Sequence, residues 1–138
     1  MNALSRTAYR SIEGTEIVRV PLIGVIDDDA SIRDALSSLL HLAGYDCALF
    51  ESAEAFLSSG HIDETDCLIL DVRLPGAGGL EFQRWLAERR YPTPMIVVSS
   101  DGDAVRASAL ARGAVAVLGK PFSPEALLGA IHSALHPS

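Results

Sequence analysis

Three consecutive acids, Asp27, Asp28 and Asp29, follow the apolar run "LIGVI", and a fourth, Asp71, follows the apolar run "CLIL". Two carboxylates about 4 Å apart repel by about 4 kcal/mol at an effective dielectric near 20, a large share of a domain's net stability. Acids gathered at strand ends therefore need a positive partner. One candidate is a hard divalent cation, and all-oxygen ligation with room for water suits Mg²⁺ better than zinc. The other is Lys120, in "VLGKPF", the only lysine among 11 strongly basic residues. An ammonium is a compact point charge that fits beside a carboxylate or phosphate in a narrow cleft, where the broad guanidinium fork does not. Helix capping accounts for one of the three consecutive acids, but not for Asp71 on another strand.

The elements that must position these groups show in a pattern repeated five times from Leu22 onward: an apolar run, a polar turn, then helical spacing. The runs are "LIGVI" (22–26), "CALF" (47–50), "CLIL" (67–70), "MIVVS" (95–99) and "VAVL" (115–118). Such alternation predicts parallel strands joined by right-handed crossovers, an α/β doubly wound five-stranded sheet with helices on both faces. Ligands of these sheets collect at the carboxyl ends of the strands. Asp27 to Asp29, Asp71, Ser99, Ser100 and Gly119 to Pro121 all fall on that rim.

Helix ends are also legible. Ser31 with Asp34 resembles a capping box and Gly44 suits a left-handed stop; Ser52 caps the next helix, and Ser123 with Pro124 opens the last. In "GLEFQRWLAERR", Leu80, Trp85 and Leu86 are the expected inward residues, whereas "DGDAVRASALARG" has only a weak apolar face.

A chain of 138 residues with 21% charged residues fits one globular domain. Residues 1–20 lack a clear period and are expected to form a flexible N-terminal leader, with the domain over 21–138. The formal charge of -7 disfavours direct binding of nucleic acid or anionic membrane by this unit. No apolar run is long enough to cross a bilayer and the first twenty residues lack a secretion signal's core, so a cytoplasmic location is expected. Cys47 and Cys67 read as small buried thiols; His41, His61, His132 and His136 form no cluster with a cysteine, and the last two, four apart on a helix, read as surface residues near its C-terminus rather than metal ligands.

Together, "VIDDD", "LILDVRLPGAGGLEF", "IVVSSDGD" and "GAVAVLGKPF", in that order on strands one, three, four and five, resemble the receiver domain of bacterial two-component response regulators over about residues 21–135. The second and fourth stretches look particularly like receivers that precede a LuxR-type helix-turn-helix. The resemblance implies the flavodoxin-like (βα)5 receiver fold with strand order 2-1-3-4-5. It implies a phosphoprotein of phosphorelay signal transduction rather than an enzyme in the ordinary sense, with Mg²⁺-dependent self-phosphorylation and autodephosphorylation chemistry. Carried over residue by residue, Asp71 would be the phosphoacceptor, and Asp27 and Asp28 the acidic pair holding Mg²⁺ with Asp71 and the backbone carbonyl of Arg73. Ser99 would bond the phosphoryl group, Lys120 would pair with it, and the Lys120–Pro121 bond would be cis. The implied partners are a sensor histidine kinase and, through the fourth helix, fifth strand and fifth helix, a second copy or target. The domain either acts alone through protein contacts or belongs to a longer regulator.

The chain departs from the family at two places. Val117 stands where a switch aromatic is usual, three residues before the lysine, which leaves output to loop and helix movement. Arg73 and Asp101, each two residues past a site residue, are expected to meet over the phosphoryl group and hinder the hydrolytic water. Three other readings are weighed. A flavodoxin-like cofactor carrier would offer hydroxyls and glycines in its first loop, not three acids. A haloacid-dehalogenase-type phosphatase would place an acid at position 73. A receiver-shaped interaction module that is never phosphorylated is the serious rival, although every site position carries a competent residue type.

Overall fold

Period-two alternation within each apolar run decides which side chain meets which helical layer. In a computed structural model, which describes residues 8–12, 16–74, 78–100 and 102–137, this alternation divides the core in two. The strands concerned are β3 (Leu22–Ile26), β4 (Asp46–Phe50), β5 (Cys67–Asp71), β6 (Met95–Ser99) and β7 (Ala116–Gly119). Ile23, Val25, Cys67, Ile69, Ile96 and Val98 face α1 (Ala30–Leu42) and α5 (Pro124–Leu135). Ile26, Leu68, Leu70 and Met95 pack with α2 (Ala53–Ser58) and α3 (Gly79–Glu88), and Val97 and Val117 with α4 (Gly102–Ala111). A sheet buried on both faces must read as near-continuous apolar runs, as these strands do.

All strand pairs of this sheet are parallel and the order is β4-β3-β5-β6-β7, the predicted 2-1-3-4-5 arrangement when only its own strands are counted. The order reverses between β3 and β5, so the carboxyl ends of these two strands flank the crevice where such folds bind ligands. Both predicted acid groups sit there. Among the described residues no helix is long and apolar enough to cross a membrane.

Two described stretches before β3 are strands. β1 (Ala8–Ile12) and β2 (Glu16–Val20) pair antiparallel, Ala8 opposite Val20 and Ile12 opposite Glu16. Ile17, Val18 and Val20 are β-branched and favour extended backbone. The Arg19 guanidinium pairs with Asp66, whose second oxygen accepts the Leu22 N–H at 2.8 Å, tying the end of this hairpin to the start of β5.

One of the three consecutive acids caps α1, as expected, and the Ser31 alternative is not used. Asp29, not Ser31, is the N-cap of α1: its backbone is extended and its Oδ1 accepts the N–H groups of Ser31 and Ile32 at 2.8 and 3.3 Å. A carboxylate at the cap also complements the helix dipole, which a serine cannot. Gly44 stops α1 at φ 92° as expected, and Ser52 and Ser123 cap α2 and α5 by accepting the N–H groups of Ala55 and Ala126. On α3 the buried residues are Gly79, Phe82, Gln83 and Leu86, an i, i+3, i+4, i+7 stripe. Leu86 is thus inward as predicted, while Leu80 and Trp85 are only half-buried. Trp85 stacks on Phe82 and carries the Arg89 guanidinium 3.7 Å from its ring centroid. Both cysteines are free thiols; Cys67 is buried, and burial, with Asp66 nearby, pushes its thiol up to about 12.

Candidate functional site

Adjacent strand ends bring the acids together. Asp27 follows β3 and Asp71 ends β5; each is only 4% exposed, whereas Asp28 is exposed. One carboxylate oxygen each of Asp27, Asp28 and Asp71 lie within 4.8 Å of one another, the only such acid, histidine or cysteine group found among the described residues. Each buried carboxylate is oriented by the backbone two residues on: Asp27 Oδ1 accepts the Asp29 N–H at 2.9 Å and Asp71 Oδ1 the Arg73 N–H at 3.1 Å.

Lys120 supplies the opposing charge. Its Nζ donates to Oδ2 of Asp27 at 3.1 Å and to Oδ2 of Asp71 at 3.3 Å. Burial works to lower the ammonium's pKa, but its hydrogen bond to Asp27 and the charges of both acids more than reverse that, leaving it raised. The Asp71 carboxyl is also raised: burial is the largest cause and the Asp27 charge adds to it, against the Arg73 N–H and Lys120, which lower it. One ammonium thus fails to offset fully the desolvation of Asp71 and its acidic neighbour.

Three hard oxygen donors in this spacing fit Mg²⁺. Octahedral ligands held at about 2.1 Å stand roughly 3 to 4 Å apart, so small side-chain adjustments close the observed span, and the exposed Asp28 side leaves room for water. Ser99 is fully buried at the end of β6, and its carbonyl accepts the Lys120 N–H at 2.9 Å, which locks the ends of β6 and β7 together. The Lys120–Pro121 bond is cis, as expected. Val117 is 3% exposed and packs with Val97, Ala109 and Ala114, so the side chain at the usual aromatic position is a core residue beside α4. Arg73 is exposed, and Asp101 lies outside the described residues together with the contact expected between them.

Two site features escaped the sequence reading. The first is Gly79, where an added Cβ would stand 2.2 Å from the Asp71 carbonyl oxygen and 2.6 Å from Val72 Cα. The start of α3 therefore presses against the backbone of Asp71, and the Gly79 N–H donates to the Val72 carbonyl at 2.9 Å. Gly78 precedes it at φ 82°, a left-handed conformation suited to glycine. The paired glycines in "GAGGLEF" were the available signal. The second is Arg33, whose Nη1 donates to the Asp27 carbonyl at 2.7 Å.

Fold and site together define a flavodoxin-like α/β domain with a carboxylate cluster at its topological switch point. The chain belongs to the response regulator receiver domain family, whose sequence model matches residues 23–132. It is similar to the response regulator protein TodT of Pseudomonas putida, 43% identical over 118 residues that make up 85% of this chain and 52% of TodT. It is also similar to the transcriptional regulatory protein FixJ of Bradyrhizobium diazoefficiens, 40% identical over 82% of this chain and 56% of FixJ. Among solved structures, the response regulator StyR superposes with a TM-score of 0.75 at 38% identity, over 84% of this chain and 59% of StyR. The chain thus spans about half the length of the curated relatives it matches.

Proposed function

We propose that Asp71 accepts a phosphoryl group from the phosphohistidine of a sensor kinase, in the cytoplasm, and that the resulting acyl phosphate switches a protein-interaction surface. The observation that carries this reading is Lys120 Nζ held between Asp27 and Asp71, a positive charge beside a buried carboxylate, Asp71, whose pKa is raised.

In the transfer, an Asp71 carboxylate oxygen forms a bond to phosphorus as the P–N bond to the donor imidazole breaks, and the departing nitrogen keeps the electron pair. Such chemistry asks the protein mainly for in-line placement and charge neutralisation. The Arg73 N–H fixes the rotation of the Asp71 carboxylate. Lys120 pairs with the incoming phosphoryl oxygens and the Ser99 hydroxyl donates to one of them. Asp27, Asp28, Asp71 and the Arg73 carbonyl are the groups that would hold Mg²⁺. When bound, this ion supplies further neutralisation of the phosphoryl charge.

The acyl phosphate carries close to two negative charges where the carboxylate carried one, and its oxygens reach out beside β6, enough to draw the loop after Ser99 inward and bias α4. The output face is α4, β7 and α5, for a second copy or another partner. Leu110 on α4 and Val115 just before β7, 42% and 43% exposed, give it apolar contact area.

Incubation with acetyl phosphate and Mg²⁺ followed by intact mass tests the proposal. A labile gain of one phosphoryl group, lost in Asp71→Asn, is expected. An unchanged mass in the wild type would leave the unphosphorylated interaction module as the function.

A further inference from the structure

Asp28 has no hydrogen-bond partner for its carboxylate among the described residues, although it is one of the three acids whose oxygens converge. Asp27 and Asp71 are each held by a backbone N–H and by Lys120. Only its main chain aims Asp28. The peptide that joins Asp27 to Asp28 carries the Asp27 carbonyl, and this is the group that Arg33 grips at 2.7 Å from the first turn of α1. On the other side of the same residue, the Asp27 N–H donates to the Phe50 carbonyl at 3.1 Å, which anchors the start of the loop to β4.

From this geometry we infer that Arg33 is a positioning residue for the metal: by fixing the Asp27–Asp28 peptide it points the otherwise untethered Asp28 carboxylate into the acidic cluster. The inference rests on the proposed Mg²⁺ site and adds to it a residue that would touch neither metal nor phosphoryl group. Two effects of Arg33 oppose each other. Its positive charge beside the loop weakens attraction of a dication, whereas its hydrogen bond preorganises one of the ligands. The guanidinium is half-buried, so water screens its charge, while a hydrogen bond at 2.7 Å to a fixed carbonyl is short and directional. Positioning should win.

The sign of one substitution decides between them. Mg²⁺ titrations of the full chain, followed by the amide NMR shifts of Asp28 and Arg73, would compare wild type, Arg33→Met and Arg33→Lys. The Met variant keeps the aliphatic stem and loses donor and charge; should it not fold, Arg33→Gln takes its place with the same expectation. Loss of a group that orients a metal ligand costs about tenfold in affinity, so the Met midpoint should rise by about that factor, with Lys between Met and wild type. A Met variant that binds Mg²⁺ as tightly as wild type or more tightly, or a Lys variant no better than Met, overturns the role of Arg33 while leaving the metal site standing. A wild type without a saturable response overturns both.

Discussion

The Lys120 ammonium stands 3.3 Å from Oδ2 of Asp71, a residue 49 positions earlier in the chain. The contact spans β5 to the end of β7 and exists because parallel strands deliver their carboxyl ends to one rim. It also explains the chain's single lysine. The slot between two buried carboxylates takes a point charge, and ten arginines serve elsewhere.

Lys120→Met would leave Asp27 and Asp71 facing each other without a counter-charge. Removing one partner of a buried polar pair costs about 1–3 kcal/mol, and urea unfolding at pH 7 should show a loss of that size. Added Mg²⁺ should recover part of it. Because the Lys120 pKa is raised above 10.5, the stability from this pair is complete below that value and is lost as pH rises through the folded pKa. The gap between wild type and variant should therefore close only in strong alkali.

Asp71→Asn should behave in the opposite sense. A folded pKa raised above 3.8 means that Asp71 favours folding fully below that pH and less as pH rises through the folded value, so its ionised form costs stability at pH 7. Without Mg²⁺ the Asn variant should melt above wild type at pH 7, with the difference shrinking below pH 3.8. Mg²⁺ should raise the melting temperature of wild type more than that of the variant. Equal melting at pH 7 would contradict the raised carboxyl.

Most of the fold was legible because the sheet is buried on both sides. Ile23, Val25, Cys67 and Ile69 belong to one layer and Ile26, Leu68 and Leu70 to the other, yet all sit in short apolar runs punctuated by polar turns. The rim residues could be found from strand ends alone, and the family resemblance then gave them roles. What was hidden depended on tertiary approach. Whether Asp29 or Ser31 caps α1 turns on two residues of register, and either side chain suits the position. The N-terminal ladder shows only as a few β-branched residues and a single glycine, Gly14, between the two runs, too weak a mark to read from pattern. Arg33 looks like any polar helix residue until the Asp27 carbonyl is seen beneath it.

Gly79→Ala tests the close approach of α3 to the end of β5. The atoms a methyl group would meet are backbone, at 2.2 and 2.6 Å, so no side chain can swing away. Overpacking of this kind costs about 1–3 kcal/mol or more, and chemical denaturation should register it. The displaced Asp71 backbone should also slow acetyl phosphate labelling. An Ala variant with wild-type stability would show that the helix start is free to move.

Gln83→Leu probes a different tension. The Gln83 side chain is fully buried; its Nε2 donates to the Ala109 carbonyl at 2.9 Å, and its Oε1 has no partner among the described residues. The Ala109 carbonyl keeps the N–H groups of Arg112 and Ala114 after the substitution, so no acceptor is orphaned. Removing the unpaired oxygen should stabilise the fold by about 1 kcal/mol in thermal or urea unfolding. A loss of similar size would show that the α3–α4 hydrogen bond outweighs the buried oxygen.

The most direct measurement is to label the protein with acetyl phosphate and Mg²⁺, reduce it with borohydride and sequence the peptides by mass spectrometry. Borohydride converts an aspartyl phosphate to homoserine, so conversion at position 71, with Asp27 and Asp28 intact, is the predicted result. Conversion at either of those acids, or at none of the three, would contradict the assignment of Asp71 as the phosphoacceptor.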